Sequence, residues 1–205
     1  EVKAIVGGRG DKTASKTLNR ATDTTRQPGS TFKILASYSA ALDAGGLTLA
    51  SVQDDAPYTY AGANGKSVSN YDKRYRGFTT LREAITDSIN IVTVKTLAQV
   101  GVSLGWQYVQ EYGFTTVDSR DMNEALALGG ITQGVSNLEL TAAYAAIANQ
   151  GTYIKPKFYT KILDHDGNVL IDNTTPESHT VIKDTTAWLL TSAMEDVMTS
   201  GTGTS

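Results

Sequence analysis

Apolar positions recur at three- and four-residue steps at Phe32, Leu35, Tyr38, Ala41 and Leu42, and Gly45-Gly46 follows, which predicts a helix over 31–44. A second start signal stands at Thr80-Leu-Arg-Glu83, which has capping-box spacing; this helix is expected to run to about Asp87. "SINIVTVKTLAQVG" then resumes an apolar pattern through Val100, which leaves Ser88 at a junction between helices. Another capping box, Ser136-Asn-Leu-Glu139, opens an alanine-rich stretch that stops at Gly151 and reads as a closely packed, buried helix. The last helix is expected from Asp184 to about Met198, with Trp188, Leu189, Ala193 and Val197 on or near one side. Strands are fewer. Val2–Val6 reads as one, ended by Gly7, Gly8 and Gly10, and "FYTKILDHDGNVLID" alternates around an Asp166-Gly167 turn as a hairpin. Residues 51–79 carry turn formers throughout and predict an extended loop with two short strands. No repeat, low-complexity tract or linker divides the chain, so residues 1–205 are expected to form one mainly helical domain.

With 205 residues, 40% of them hydrophobic, the chain can bury one substantial core. Its net charge of −3 argues against a basic nucleic-acid footprint and favours small-molecule, peptide or protein partners. Cysteine is absent, which excludes disulfides, thiolate catalysis and cysteine-ligated metals. No apolar run approaches the length of a membrane span. The abrupt start on a strand and the loop-like ending "SGTGTS" suggest a fragment of something longer.

The candidate chemistry lies in "RQPGSTFK", residues 26–33. Pro28 fixes the entry and Gly29 permits close backbone approach, so Ser30 is expected on a sharp turn. Ser30 is also the natural N-cap of a helix starting at Thr31, its oxygen accepting orphan N–H groups. Ser-x-x-Lys alone is a weak pattern, since about one is expected by chance in a chain this long. It does place a hydroxyl and an amine on one helix face, near a positive helix terminus. Lys33 could serve as a base only if burial or neighbouring positive charge depresses its pKa. A second polar pair stands at Ser88-Ile-Asn90 on the helix junction. It reads either as a capping serine with an asparagine satisfying loop backbone, or as a proton-relaying hydroxyl with an amide that bonds Lys33 and a substrate amide.

Other residues are read as scaffold. His165 and His179 fall in a hairpin turn and a polar loop, so a histidine triad or metal site is not expected. Gly7-Gly8-Arg9-Gly10 and Gly129-Gly130 lack the spacing of a dinucleotide fingerprint and read as turns. Asp54-Asp55 is taken as part of a solvated loop, and Lys73, Arg74 and Arg76 as a solvated basic run near the presumed cleft. Tyr58, Tyr60, Tyr71 and Tyr75 could line a groove or pack the loop.

"RQPGSTFK", then "NYDKRYRGFTTLREAITDSIN", then "GVSNLELTAAYAAIANQGTYIKPKF" together resemble the transpeptidase domain of the class A penicillin-binding proteins, over nearly the whole chain and in order. Of that family's motifs, Ser-x-x-Lys matches at Ser30 and Lys33, and Ser-x-Asn at Ser88 and Asn90. The Arg26-Gln27 prefix and Asn70-Tyr71-Asp72 lean toward class A. Lys-Thr-Gly does not occur; Gly201-Thr202-Gly203 is read as a loop that precedes it in the family.

The resemblance implies an α+β fold of the penicillin-binding/serine β-lactamase-like type. This chain would hold mainly the helical part, with Val2–Val6 left from a sheet of about five antiparallel strands. It implies a D,D-transpeptidase in which Ser30 is the nucleophile, Lys33 its base, Ser88 a proton relay and Asn90 a holder of the substrate amide, with no metal or organic cofactor. The implied partners are peptidoglycan stem peptides ending in D-Ala-D-Ala, β-lactam antibiotics, and the remainder of the same domain, possibly as a second fragment. Without a Lys-Thr-Gly strand the chain alone is expected to be inactive and poorly folded. The native setting would be the outer face of the bacterial cytoplasmic membrane, with an anchor and a glycosyltransferase domain upstream. Alternatives are a carboxypeptidase or β-lactamase of the same fold, and a penicillin-binding sensor without turnover; no obvious deacylating glutamate supports the hydrolases.

Overall fold

A computed structural model of the chain describes residues 1–11, 13–61 and 66–204; the middle of the loop expected over 51–79 and the last residue of "SGTGTS" lie outside the described residues. The helix expected over 31–44 forms the centre of the molecule. A 3-10 turn, Gly29–Thr31, leads into a helical rod that takes a π-helical turn at Ile34–Tyr38 and ends as α1 (Ser39–Asp43). Every residue from Phe32 to Ala41 is buried, so the rod is enclosed on all sides rather than on the single face that the apolar spacing outlines. Single-turn π segments recur at functional sites, and this one begins directly after Lys33.

The rod is wrapped by α3 (Asn90–Val100), which follows α2 (Leu81–Thr86), by α4 (Val102–Glu111), and at its end by α6 (Asp184–Thr199). Gly105 lets α4 approach closely: a Cβ there would stand 2.5 Å from the Ala36 carbonyl oxygen. Helix α5 (Asn137–Ala148) starts at the forecast capping box and buries Ala142, Ala143, Ala146 and Ile147. The expected helix over Asp184–Met198 is α6, but its inward side is Ala187, Leu190 and Ala193, whereas Trp188 is 69% exposed. Helix α4 had no signal in the sequence reading.

Among the described residues the β structure is five two-stranded antiparallel ladders. β1 (Thr25–Arg26) pairs with β6 (Val135–Ser136), β2 (Val52–Asp55) with β5 (Gly77–Thr80), β3 (Tyr58–Thr59) with β4 (Ser67–Val68), β7 (Thr152–Ile154) with β10 (Ser178–Thr180), and β8 (Lys161–Leu163) with β9 (Val169–Asp172). The last pair is the expected hairpin. The strand expected at Val2–Val6 is corrected: these residues join no ladder among the described residues, and their recorded backbone tie is Val2 N–H to the Lys157 carbonyl at 2.8 Å. An extended segment becomes a strand only when a neighbour supplies the ladder.

Candidate active site

The turn carrying Ser30 is anchored from behind by residues 129–136. β1 pairs with β6, and the Gln27 side chain continues that ladder: the Ile131 N–H donates to Oε1 at 2.9 Å and Nε2 donates to the Ile131 carbonyl. Gly29 adopts φ +58° and Gly129 φ +72°, and a Cβ on Gly129 would stand 2.6 Å from both the N and the O of Gly29. Gly129 is thus a turn, as expected, and also a close backbone contact that the sequence did not reveal. Ser30 lies inside the 3-10 turn, whose N-cap is Pro28 with no side-chain cap. It is exposed, and its hydroxyl has no hydrogen bond among the described residues. The cap reading of Ser30 therefore fails, because the turn starts one residue too early for its oxygen to serve. Thr31 Oγ1 donates to the Pro28 carbonyl at 2.8 Å and the Tyr144 hydroxyl to the Thr31 carbonyl at 2.6 Å, fixing the turn instead.

One helical turn on, Lys33 is 3% exposed. Nζ donates to the Ser88 carbonyl at 2.6 Å and to Ser88 Oγ at 2.9 Å. Burial brings its pKa down to about 7, because the ammonium loses water that two oxygens only partly replace. The depression that a lysine base requires is present, and its cause is desolvation. Ser30, Lys33, Ser88 and Thr202 open on one cavity of about 340 Å³, with apolar walls that include Ile34, Ile85 and Met198.

Ser88 owes its place to how α2 ends. The Ile89 N–H donates to the Ala84 carbonyl at 2.9 Å and the Ser88 N–H to the Ile85 carbonyl at 3.1 Å, the pair of bonds that makes a Schellman motif. The motif puts its C′ residue in the left-handed region, where glycine is usual, and here Ser88 holds φ +52°. A glycine here would keep the carbonyl contact to Lys33 but not the hydroxyl. A second tie pins α3 to the rod: the Thr93 hydroxyl donates to the Ile89 carbonyl at 2.6 Å and bonds the Tyr38 hydroxyl at 2.8 Å, and Ser37 Oγ donates to the Thr93 carbonyl at 3.2 Å.

Asn90 opens α3 two residues beyond Ser88. Its amide nitrogen donates to the Ser69 carbonyl at 2.8 Å, and no bond to Lys33 exists among the described residues, so the expected Asn90–Lys33 contact is corrected: Lys33 is held by Ser88 alone.

Residues 1–205 match the family described as "Penicillin binding protein transpeptidase domain". The chain belongs to this family. Among relatives, penicillin-binding protein 1F of Bacillus subtilis (strain 168) is 41% identical over the whole chain, which covers 27% of that protein. Penicillin-binding protein 1A of Clostridium botulinum is 37% identical over 84% of the chain and 22% of its own length. The chain therefore spans about a quarter of the curated relatives it matches. In structure, penicillin-binding protein 1A from Haemophilus influenzae superposes with a TM-score of 0.77 at 28% identity, over 91% of this chain and 32% of that one. Penicillin-binding protein A from M. tuberculosis, solved as an imipenem acyl-enzyme complex, reaches 0.78 at 23% identity, over 92% and 47%. The class A resemblance and the α+β transpeptidase fold are both borne out.

In this transpeptidase domain a larger cleft, about 840 Å³, runs from Ser30 past Ser88 and Asn90 to Tyr71, Lys73 and Arg76. Arg76 is exposed, as expected of the basic run, and is also ion-paired: its guanidinium lies 3.0 Å from Asp72, 3.8 Å from Asp87 and 3.9 Å from Asp55. Lys73 Nζ donates to Ser69 Oγ at 3.0 Å. Tyr71 is 98% exposed at the cleft, whereas Tyr58 and Tyr60 pack against the core. Asp55 overturns the solvated-loop reading: it is fully buried and bonded to Asn70. Thr202 lines both cavities because its segment folds back, with its N–H on the Thr86 carbonyl at 3.2 Å and Gly203 N–H on that of Val197 at 2.9 Å. Sequence reasoning singled out neither Thr202 nor Asn70 as a site residue. His165 is exposed, and His179 bonds the Glu111 carbonyl at 2.7 Å, away from the cleft. No helix among the described residues is long and apolar enough to cross a membrane.

Proposed function

We propose that this domain is the acyl-transferring part of a serine D,D-transpeptidase that cross-links peptidoglycan stem peptides. The observation that carries the reading is the buried Lys33 amine, its pKa near 7, bonded to Ser88 in the cavity on which the unpartnered Ser30 hydroxyl opens. Ser30 Oγ attacks the carbonyl carbon of the penultimate D-alanine and its proton passes to neutral Lys33. The C–N bond then breaks, and the proton reaches the departing D-alanine amine through Ser88, leaving an ester on Ser30. A neighbouring stem peptide's amine attacks that ester, loses its proton along the same path and restores the Ser30 hydroxyl. Asn90, its amide nitrogen turned to Ser69, offers its carbonyl oxygen to the substrate's peptide N–H. No metal or organic cofactor enters. The structure of M. tuberculosis penicillin-binding protein A as an acyl-enzyme with imipenem supports acylation of Ser30 by β-lactams here.

The hydrolase alternative needs a carboxylate free to activate water. Asp72 and Asp87 line the cleft and both face Arg76, which favours amine over water as the acceptor. The family resemblance supports a native position at the outer face of the cytoplasmic membrane, and a contribution from a Lys-Thr-Gly strand that this sequence does not contain. Loss of one oxyanion-stabilising donor typically costs about a hundredfold to a thousandfold in turnover, so this chain alone is expected to acylate slowly.

Intact mass after incubation with a labelled penicillin tests the reading, on this chain, on the chain extended through a Lys-Thr-Gly strand, and on Ser30→Ala. A Ser30-dependent adduct on the extended chain supports it, and no adduct on either sinks it. Release of D-alanine from a stem-peptide mimic, with and without an acceptor amine, then separates transferase, hydrolase and sensor.

A further inference from the structure

Helix α3 starts without a cap of its own. Its N-cap residue, Ile89, has no polar side chain, and the adjacent Ser88 hydroxyl is engaged with Lys33. The first N–H groups of a helix still need acceptors. Those of Asn90 and Ile91 donate to Asn70 Oδ1, at 3.0 and 3.2 Å, from the loop that precedes β5.

The other end of that amide is fixed as firmly. Asn70 Nδ2 donates to both oxygens of Asp55, at 2.8 and 3.0 Å, and to the Arg74 carbonyl at 2.8 Å. Donors face Oδ1 and acceptors face Nδ2, so the flipped amide would set like against like on both sides. Asp55 is 0% exposed, and its carboxylate also accepts the Arg76 N–H at 2.9 Å. A buried carboxylate without such donors is costly, so Asp55 and Asn70 hold each other.

We propose that Asn70, oriented by Asp55, is a positioning residue for Ser88 and Asn90. It caps α3 from a distant segment, which leaves the Ser88 hydroxyl to Lys33 and keeps Ser88 in its left-handed conformation. The neighbouring Ser69 carbonyl aims the Asn90 amide from the same loop. This inference rests on the reading of Lys33 and Ser88 as proton carriers.

The test compares, in the full-length protein, Asn70→Asp, Asp55→Asn and the double exchange Asp55→Asn/Asn70→Asp. Asn70→Asp sets two carboxylates together; in the exchange, amide and carboxylate trade places and one donates to the other again. The readouts are labelled-penicillin acylation, split into noncovalent binding and the first-order acylation step, and amide hydrogen exchange over 88–92. Asn70→Asp is expected to slow the acylation step by roughly tenfold to a hundredfold and to speed exchange at Asn90 and Ile91 while the 32–43 rod stays protected. The double exchange should recover most of both losses. A wild-type acylation step in Asn70→Asp, or a double exchange as impaired as Asn70→Asp, overturns the proposal. Should Asn70→Asp fail to fold, Asp55→Asn decides: faster exchange at Asn90 and Ile91 over a protected rod supports it, unchanged exchange refutes it. If wild-type protein takes no label, the transpeptidase reading falls, while hydrogen exchange still reports on Asn70.

Discussion

Lys33 Nζ lies 2.9 Å from Ser88 Oγ and 2.6 Å from the Ser88 carbonyl, across 55 positions of sequence. The amine is buried by the rod that carries it and by the α2–α3 junction that presents Ser88. One contact therefore joins the two motifs, and the burial around it lowers the pKa of the base.

Acylation by penicillin should follow Lys33 deprotonation, rising with pH through about 7 and levelling above it, with Lys33→Arg abolishing the rise. Stability follows the same linkage. Between pH 7 and the ordinary lysine value the folded state binds fewer protons than the unfolded state, so stability rises with pH in that window. Below pH 7 the full penalty of burying a charged Lys33 is present. Lys33→Met is accordingly expected to raise the melting temperature most at pH 6 and progressively less toward pH 10, which denaturation at a series of pH values checks.

Ser88 occupies glycine's place in the Schellman motif at φ +52°. Ser88→Gly should be more stable than Ser88→Ala by about 1 kcal/mol, since only glycine is unstrained there. Both variants lose the hydroxyl and should acylate much more slowly than wild type. Chemical denaturation paired with labelled-penicillin kinetics tests this; equal stability of the two variants would contradict the strain argument.

The Tyr38 hydroxyl is fully buried and relies on Thr93. Thr93→Val should cost about 1–3 kcal/mol by stranding that hydroxyl, and adding Tyr38→Phe should return part of it. A double-mutant cycle on unfolding free energies measures the coupling, and strictly additive effects would disprove it.

Gly129→Ala would press a methyl group onto Gly29, next to the nucleophile, from a residue at φ +72°. Overpacking and strain together should cost about 1–3 kcal/mol or more and slow acylation through the displaced Ser30 turn. Gly130→Ala, at a residue without positive φ, is expected to be milder. Melting temperatures and acylation rates of the two variants decide it.

Capping chemistry was well marked in the sequence because it is local. Thr80-Glu83 and Ser136-Glu139 each form the reciprocal box their spacing announces. Other features gave no such signal. Trp188 faces outward, away from the side of α6 that Ala187, Leu190 and Ala193 bury, and Val2–Val6 has strand composition but joins no ladder among the described residues. Asp55 looks like a loop residue and is buried, because Asn70 and Arg76, far along the chain, satisfy its carboxylate.

By itself the sequence determined the two capping-box helix starts, the hairpin, the two Ser-based motifs and the family they resemble, all features carried by residues within a few positions of one another. The tertiary structure alone decided that Ser30 caps nothing, that Lys33 is desolvated and bonded to Ser88, that Asn90 turns to Ser69, and that Asn70 caps α3. Desolvation and long-range hydrogen bonds depend on which distant segments close over a group, and spacing along the chain does not encode that.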